Sequence, residues 1–357
     1  MERKKTMTKN RLYIDIHVLQ TVPPSCVNRD DTGSPKTAQY GGVTRARVSS
    51  QSWKHAMREM FRADYEESWS GDRTKAIVQK VAAKISEVNQ LADAEKLATD
   101  ALVNAGLKIK SAEKGTDALF FMSDAQAKGL AELVLSGEKD KKLFKEKLSS
   151  DPSVDMALFG RMVADDPSLN YDAAAQVAHS ISTHAIHNEY DYFTAVDDCS
   201  PEDNAGAGHL GTNEFNAATL YRYATVNAVE LQKTLGKDVS EVVKGFAESF
   251  IFSMPTGKQN SYANRTLPDM VYITVRCDQP VNMAGAFEKP VPACANGYME
   301  KSEECFIKYA QETYKMFVSE PVCALGTDRT GKLEAIADVM PINDLLDKLA
   351  ETVSASF

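Results

Sequence analysis

The chain has 357 residues and a formal net charge of -9, from 50 Asp and Glu against 41 Lys and Arg. A hydrophobic fraction of 43% beside 25% charged residues is globular and excludes a disordered chain. No run approaches the ~18 apolar residues of a membrane helix. The six cysteines are scattered without a CxxC pair. That argues against a zinc site or a disulfide framework and for reduced thiols in a cytoplasmic setting.

Residues 1–9 read as a short basic tail, because no apolar stretch follows "MERKKTMTK" as a secretory leader would require. "RLYIDIHV" then alternates, with Leu12, Ile14, Ile16 and Val18 on one side and Tyr13, Asp15 and His17 on the other. The pattern predicts a half-buried strand, ended by Pro23 and Pro24. After a polar loop to Gly41-Gly42, Trp53, Met57 and Met60 or Phe61 make a helical stripe, with Ser49 or Ser50 as the N-cap.

From about residue 59 to 150 the composition turns helical, with Ile77, Val81, Ile85 and Val88 as one stripe, and suggests an inserted lobe. Between Met162 and Arg222 there is no Lys or Arg, whereas ten acids lie from Asp165 to Glu214. The second half of that gap, "TAVDDCSPEDNAGAGHLGTNEF", predicts a long exposed loop. Strand patterns return in "TLYRYATVN" and "DMVYITVRC", and helices in "CFIKYAQETYKMF" and "NDLLDKLAETV". Strands near both ends with helices between predict an α+β sheet domain interrupted by a helical lobe.

Catalytic signals are weak. His179, His184 and His187 are close in sequence, but without a third ligand of defined geometry they read as structural residues of a polar helix. "GTDRTGKL", Gly326 to Leu333, fails as a phosphate loop because Leu333 stands where a hydroxyl is needed. Asp155 in "VDMALFGRM" reads as a turn or cap residue, with a metal-binding or cleaving carboxylate as the alternative.

The distinctive signal is electrostatic. Thr32 to Arg58 carries Lys36, Arg45, Arg47, Lys54 and Arg58 and no Asp or Glu. Lys54 and Arg58, at i and i+4, should project from one helical face, and Arg45 and Arg47 from one strand face. The helix start beside Ser49 adds unpaired N–H groups and a positive dipole end, an anion site. A second acid-free window, Ser249 to Pro268, displays Lys258 and Gln259 on a turn. Paired acid-free polar patches in an acidic chain point to contacts with a nucleic-acid backbone.

"HVLQTVPPSCVNRDD", "GGVTRARVSSQSWKHAMR", "ALFGRM", "DYFTAVDD", "AGHLGTNEF", "YRYATVN", "KQNSYA" and "PDMV", in this order, resemble the CasC family. These are the crRNA-binding backbone subunits of the type I-E CRISPR surveillance complex, Cascade. The resemblance spans residues 17 to 271 and is weaker over 59–150 and the C-terminal third.

It implies an RRM-like (ferredoxin-like) palm over 10–58 and 219–357, mostly helical fingers over 59–180, and a protruding thumb loop over 188–218. It implies a non-catalytic scaffold, without cofactor or metal, packed head to tail along a CRISPR guide RNA. Bases are then free to pair with a target DNA strand. Its partners would be further copies, expected as a hexameric filament, and other Cascade subunits, with no membrane. Arg29, Lys36, Ser49, Gln51, Lys54, Lys258 and Gln259 fall on the family's RNA-backbone positions, to which strand and helix geometry add Arg45, Arg47 and Arg58. Met162 of "GRM" and His209 and Leu210 of "GHLGT" fall where a flipped-out nucleotide is held. The acids Asp197, Asp198, Glu202 and Asp203 are expected to face basic surface on the next copy. The competing expectation is a metal-dependent endoribonuclease using Asp155.

Overall fold

The computed structural model describes residues 11–89, 93–163, 165–195, 198–199, 209–236 and 239–357. The strands are β1 (Tyr13–Ser25), β2 (Thr37–Tyr40), β3 (Val43–Val48), β4 (Asp72–Thr74), β5 (Phe120–Met122), β6 (Ala175–Val177), β7 (Ser180–Ser182), β8 (Glu189–Ala195), β9 (His209–Asn227), β10 (Met270–Arg276), β11 (Cys323–Asp328) and β12 (Asp338–Val339). The helices are α1 (Ser50–Asp64), α2 (Ile77–Val88), α3 (Ala94–Asn104), α4 (Asp124–Leu135), α5 (Lys141–Leu148), α6 (Val154–Phe159), α7 (Ala228–Leu235), α8 (Ser240–Phe252), α9 (Gln259–Tyr262), α10 (Met299–Met316) and α11 (Ile342–Ser354). The architecture is α+β, and among the described residues no helix is long and apolar enough to cross a membrane.

The chain divides into two compact units, Met1–Met57, Val177–Thr225 and Lys244–Phe357 in the first, Arg58–Gln176 and Val226–Val243 in the second. The segment 226–243, which carries α7, belongs to the second unit, whereas the sequence reading put it in the sheet domain.

In the first unit the sheet runs β12-β11-β10-β1-β9-β7-β3-β2. β1 is antiparallel to β10 from Tyr13↔Arg276 to Leu19↔Met270. The alternation in "RLYIDIHV" predicts one wet face, but β1 is covered on both. Ile14, Ile16 and Val18 are buried, and so are Asp15 and His17. Each polar side chain has a partner, as burial demands. Asp15 Oδ1 accepts from the Tyr223 hydroxyl at 2.9 Å and Oδ2 from the Val281 N–H at 2.9 Å. His17 Nδ1 lies 2.8 Å from the Tyr221 hydroxyl. Burial pushes the Asp15 carboxyl up to about 6 and the His17 imidazole down to about 3.

Nor do Pro23 and Pro24 end β1, which runs to Ser25 with both prolines exposed. They lie beyond the last β10 pair at Leu19, where that edge asks for no backbone donor. The unit's aromatic core gathers Tyr221, Tyr223, Tyr272, Phe287 and Phe306 around Leu19 and Met283.

The second unit has its own core, with Ile77, Val81 and Ile85 of α2 against Leu102 of α3 and Leu130 of α4. Val88, the fourth member of the expected stripe, is exposed, because α2 ends there. Ser123 caps α4 in a reciprocal box with Gln126.

Candidate nucleic-acid interface

The turn after β1 is organised by one amide. Asn28 Oδ1 accepts from the Ser49 N–H at 2.9 Å, and its backbone carbonyl accepts from the Lys36 N–H at 2.8 Å. The adjacent acid, Asp30, is turned onto its own loop. Its Oδ1 accepts from the Thr32 hydroxyl at 2.7 Å and from the N–H groups of Thr32 and Ser34 at 2.9 and 3.0 Å. The Thr32 hydroxyl foremost holds that carboxyl below its ordinary range.

Three of the expected cations converge. Arg47 Nε donates to Thr37 O at 3.0 Å and its Nη1 to His179 Nδ1 at 3.1 Å. Arg has donors only, so His179 accepts at Nδ1 and carries its proton on Nε2. Burial, then the charges of Arg47, Lys36 and Lys54, lower the His179 imidazole below its usual value. All three cations therefore act on one histidine.

Beside them α1 begins. Ser49 is its cap, with Gln51 N–H 3.3 Å from Ser49 Oγ and Ser52 N–H 3.0 Å from Ser49 O. No acid occupies the first turn, so the positive dipole end is uncompensated there. Gln51 is exposed, and Ser49 and Lys54 are half-buried.

The second window meets the first. A Cβ on Gly257 would lie 2.1 Å from Val27 O and 2.7 Å from Cys26 O, so only glycine lets the 255–259 turn sit on the 26–29 turn. Lys258, at φ +47°, sends its ammonium to Asn213 Oδ1 of β9. Burial raises the Cys26 thiol, opposed by Lys258 and Arg29, which both lie near it. Asp30 and Glu214 act on that thiol in the other sense, so the windows are acid-free in sequence but not in space. Gln259 and Arg29 are exposed. Between the β1 turn and β9, Asn28, Lys36, Arg47 and Asn216 line a hollow together with Val22 and Leu220.

Two expected contacts are corrected. Arg45 is fully buried, with Nε on Tyr40 O at 3.1 Å, Nη1 on Ser182 O at 2.9 Å and Nη2 on Phe287 O at 2.8 Å. A Cβ on Gly41 (φ +60°) would fall 1.7 Å from Glu288 O, so this glycine admits the 287–288 backbone that covers Arg45. Arg47, two residues on, is left half-exposed. Arg58 is buried as well. Its Nε meets Asp155 Oδ2 at 2.7 Å and its Nη2 Gly71 O at 2.8 Å. Neither guanidinium presents a surface to a backbone phosphate.

Asp155 itself is 0% exposed, and its Oδ1 accepts from Gly71 N–H at 3.0 Å and Ser153 Oγ at 2.6 Å. As a helix-start acid beside Arg58 it is a structural anchor. The histidines do not lie on a helix, either. His184 follows β7, accepts from the Thr219 N–H at 3.1 Å and stacks on Tyr298 with centroids 3.5 Å apart. Among the described residues no cluster of three or more metal-ligating side chains occurs.

Much of the expected 188–218 loop is a ribbon. β8 and β9 pair from Glu189↔Phe215 to Ala195↔His209, with all of β8 exposed. The Phe193 ring occupies the place of a Gly211 side chain, whose Cβ would lie 2.5 Å from it. Tyr190 and Tyr192 are exposed on the ribbon. His209 and Leu210 continue β9 opposite Ala195 and Thr194. Asp198 is exposed, whereas Asp197, Glu202 and Asp203 fall outside the described residues. In the second unit, Met162 is 87% exposed although Arg161 and Val163 on either side are buried. Arg161 forms an isolated backbone bridge with Tyr171, and its guanidinium donates to Leu169 O at 2.8 Å and Phe121 O at 3.1 Å.

Sequence reasoning took His179 for a structural residue of a polar helix and missed its place beside the cations, which it reaches from the residue just before β7. It also missed Asn28 and Asn213, neutral residues that position charged ones.

The sequence pattern of the CT1975-like proteins (Cas_CT1975) matches residues 14–351. Two solved structures are similar. A chain of a "CRISPR RNA-guided surveillance complex, pre-nicking" is 33% identical, with TM-score 0.84, over 97% of this chain and 100% of that one. A chain of a "CRISPR RNA-guided surveillance complex" is 30% identical, with TM-score 0.65, over the same shares. No curated protein sequence matches the chain.

Proposed function

Because the chain belongs to the CT1975-like protein family, we propose that it is a CasC-type backbone subunit of a type I-E Cascade. It holds a CRISPR guide RNA by its backbone and leaves the bases free to pair with target DNA. In this reading the first unit is an RRM-like palm, the second a fingers lobe, and the β8–β9 ribbon a thumb. Copies pack head to tail along the guide in a hexameric filament capped by other Cascade subunits, in the cytoplasm and without catalysis of their own. A heterologous contact of that kind propagates as an open filament.

The observation that carries the reading is the convergence of Lys36, Arg47 and Lys54 on His179 beside the capped start of α1. Cations, a helix N-terminus, Ser49 and Gln51 read phosphate and ribose but not base identity. Arg29, Lys258 and Gln259 extend the same strip. Met162, held outward by buried neighbours, and Leu210 are the apolar residues proposed to hold a displaced nucleotide. Asp197, Asp198, Glu202 and Asp203 are proposed to meet basic surface on the next copy. The alternative of cleavage at Asp155 gains nothing from that carboxylate, which is buried against Arg58.

Co-expression with a CRISPR transcript tests the proposal. The expected product is a large particle in which the full-length guide stays intact in Mg²⁺. A chain that remains free of RNA, or guide cleavage that Asp155→Ala abolishes, would overturn it.

A further inference from the structure

Away from the cationic strip, α10 buries an acid that the proposed function does not use. Glu303 is 0% exposed, and its Oε1 has no hydrogen-bond partner. Asp328, at the end of β11, comes within hydrogen-bond reach of it, and Asp328 Oδ1 is likewise buried and unpartnered. The remaining oxygens are tied together by Thr330. Its hydroxyl lies 2.6 Å from Glu303 Oε2 and 3.1 Å from Asp328 Oδ2. Asp328 Oδ2 also accepts from the Leu333 N–H at 3.1 Å.

Two carboxylates meet here at a hydroxyl whose single hydrogen serves one of them, and each keeps an orphaned oxygen. One hydrogen satisfies both at once, and without it two buried acceptors repel. We propose that Glu303 and Asp328 share a proton in the folded protein, and that this acid–carboxylate bond clips the Asp328–Leu333 turn to α10 and weakens as the solution turns alkaline.

The surroundings favour a proton over a metal ion. Among the described residues two carboxylates and one hydroxyl converge here, short of the six or more oxygens a hard divalent cation collects. The charges nearest to Glu303 are Asp328 and Lys332. Lys332 is engaged on the outside, with its ammonium 2.6 Å from Glu300 and 2.8 Å from Glu304. Of the other elements packed on α10, β1 brings Asp15 and His17, the latter against Phe306, the 332–335 turn brings Lys332 and the exposed Glu334, and the 283–287 turn carries no titratable group. Burial first, and then Asp328, raises the Glu303 carboxyl to about 7, against the pull of Thr330 and Lys332. The proton resides on the fully buried member of the pair.

The sign follows. Between the ordinary carboxylate value and about 7 the folded chain holds a proton that the unfolded chain has released, so stability declines as pH rises through that window. Gln at 303 supplies a permanent donor and does not titrate. Thermal unfolding of the full chain from about pH 5 to about pH 9 is the test. The difference in midpoint between Glu303→Gln and wild type should grow with pH and level off above about 7. Asp328→Asn, the reciprocal donor, should behave alike. A difference that stays flat in both variants overturns the proposal. So does a midpoint that rises in wild type, but not in Glu303→Gln, when Ca²⁺ or Mg²⁺ is added, because the pair would then hold a cation. Should both variants fail to fold, infrared difference spectra of wild type decide. A protonated-carboxyl band that disappears with a midpoint near 7 supports the shared proton, and its absence at pH 6 overturns it.

Discussion

Arg58 Nε lies 2.7 Å from Asp155 Oδ2, with the acid fully buried and the arginine nearly so. Removing one member of such a pair strands a charge without water. Arg58→Ala and Asp155→Ala should each destabilise the protein by about 3–5 kcal/mol, read by denaturant unfolding. The RNA affinity of the folded fraction should not change. A loss of affinity at unchanged stability would return Arg58 to the RNA surface.

Lys36 and Lys54 should behave in the opposite way. Both are half-exposed, and Lys36→Glu or Lys54→Glu should leave the unfolding midpoint nearly as it is. Affinity for unrelated RNA sequences should fall by a common factor, and the salt slope should drop by about 0.7 for each lost contact on a single strand. Filter binding across a salt series reads both quantities. A loss confined to one sequence contradicts backbone recognition.

On β1 two buried groups titrate in opposite directions. His17 is neutral down to about 3 when folded, so acid below its ordinary 6.5 favours the unfolded chain. Asp15 holds its proton up to about 6, so acid between there and its ordinary 3.8 favours the folded chain. The two slopes, each about 1.4 kcal/mol per pH unit, nearly cancel across the shared window. Asp15→Asn should therefore make stability drop steeply on acidification from pH 6 to 4, and His17→Gln should make it rise. Urea unfolding at several pH values distinguishes the two, and parallel curves for both variants would refute the assignment.

Met162→Ala should leave stability within about 0.5 kcal/mol of wild type, since the side chain is 87% exposed. In the assembled particle it should change the periodic reactivity of guide nucleotides toward a chemical probe. Unchanged reactivity would remove Met162 from the nucleotide-holding role.

The sequence carried the broad architecture because that information is local. Trp53, Met57 and Phe61 declare the buried stripe of α1, and all three are fully buried. What it concealed depends on contacts far along the chain. Arg45 and Arg47 share a strand face, but only Arg45 is covered, by backbone from residues 287–288. Arg58 and Lys54 share a helix period, but an aspartate 97 positions away claims one of them. β1 read as half-wet because Asp15 and His17 alternate with aliphatics. Tyr221 and Tyr223 supply their partners from a strand some two hundred residues distant. Net sign along a window located the cationic strip, and burial then decided which of its members face outward.

Asn28 has a consequence beyond its own bonds. Its side chain fixes the amide at which α1 starts, and its carbonyl fixes the amide of Lys36. The distance from the lysine, just before β2, to the helix tip is therefore gauged by an uncharged residue. A change there would alter that spacing without altering a single charge beside it.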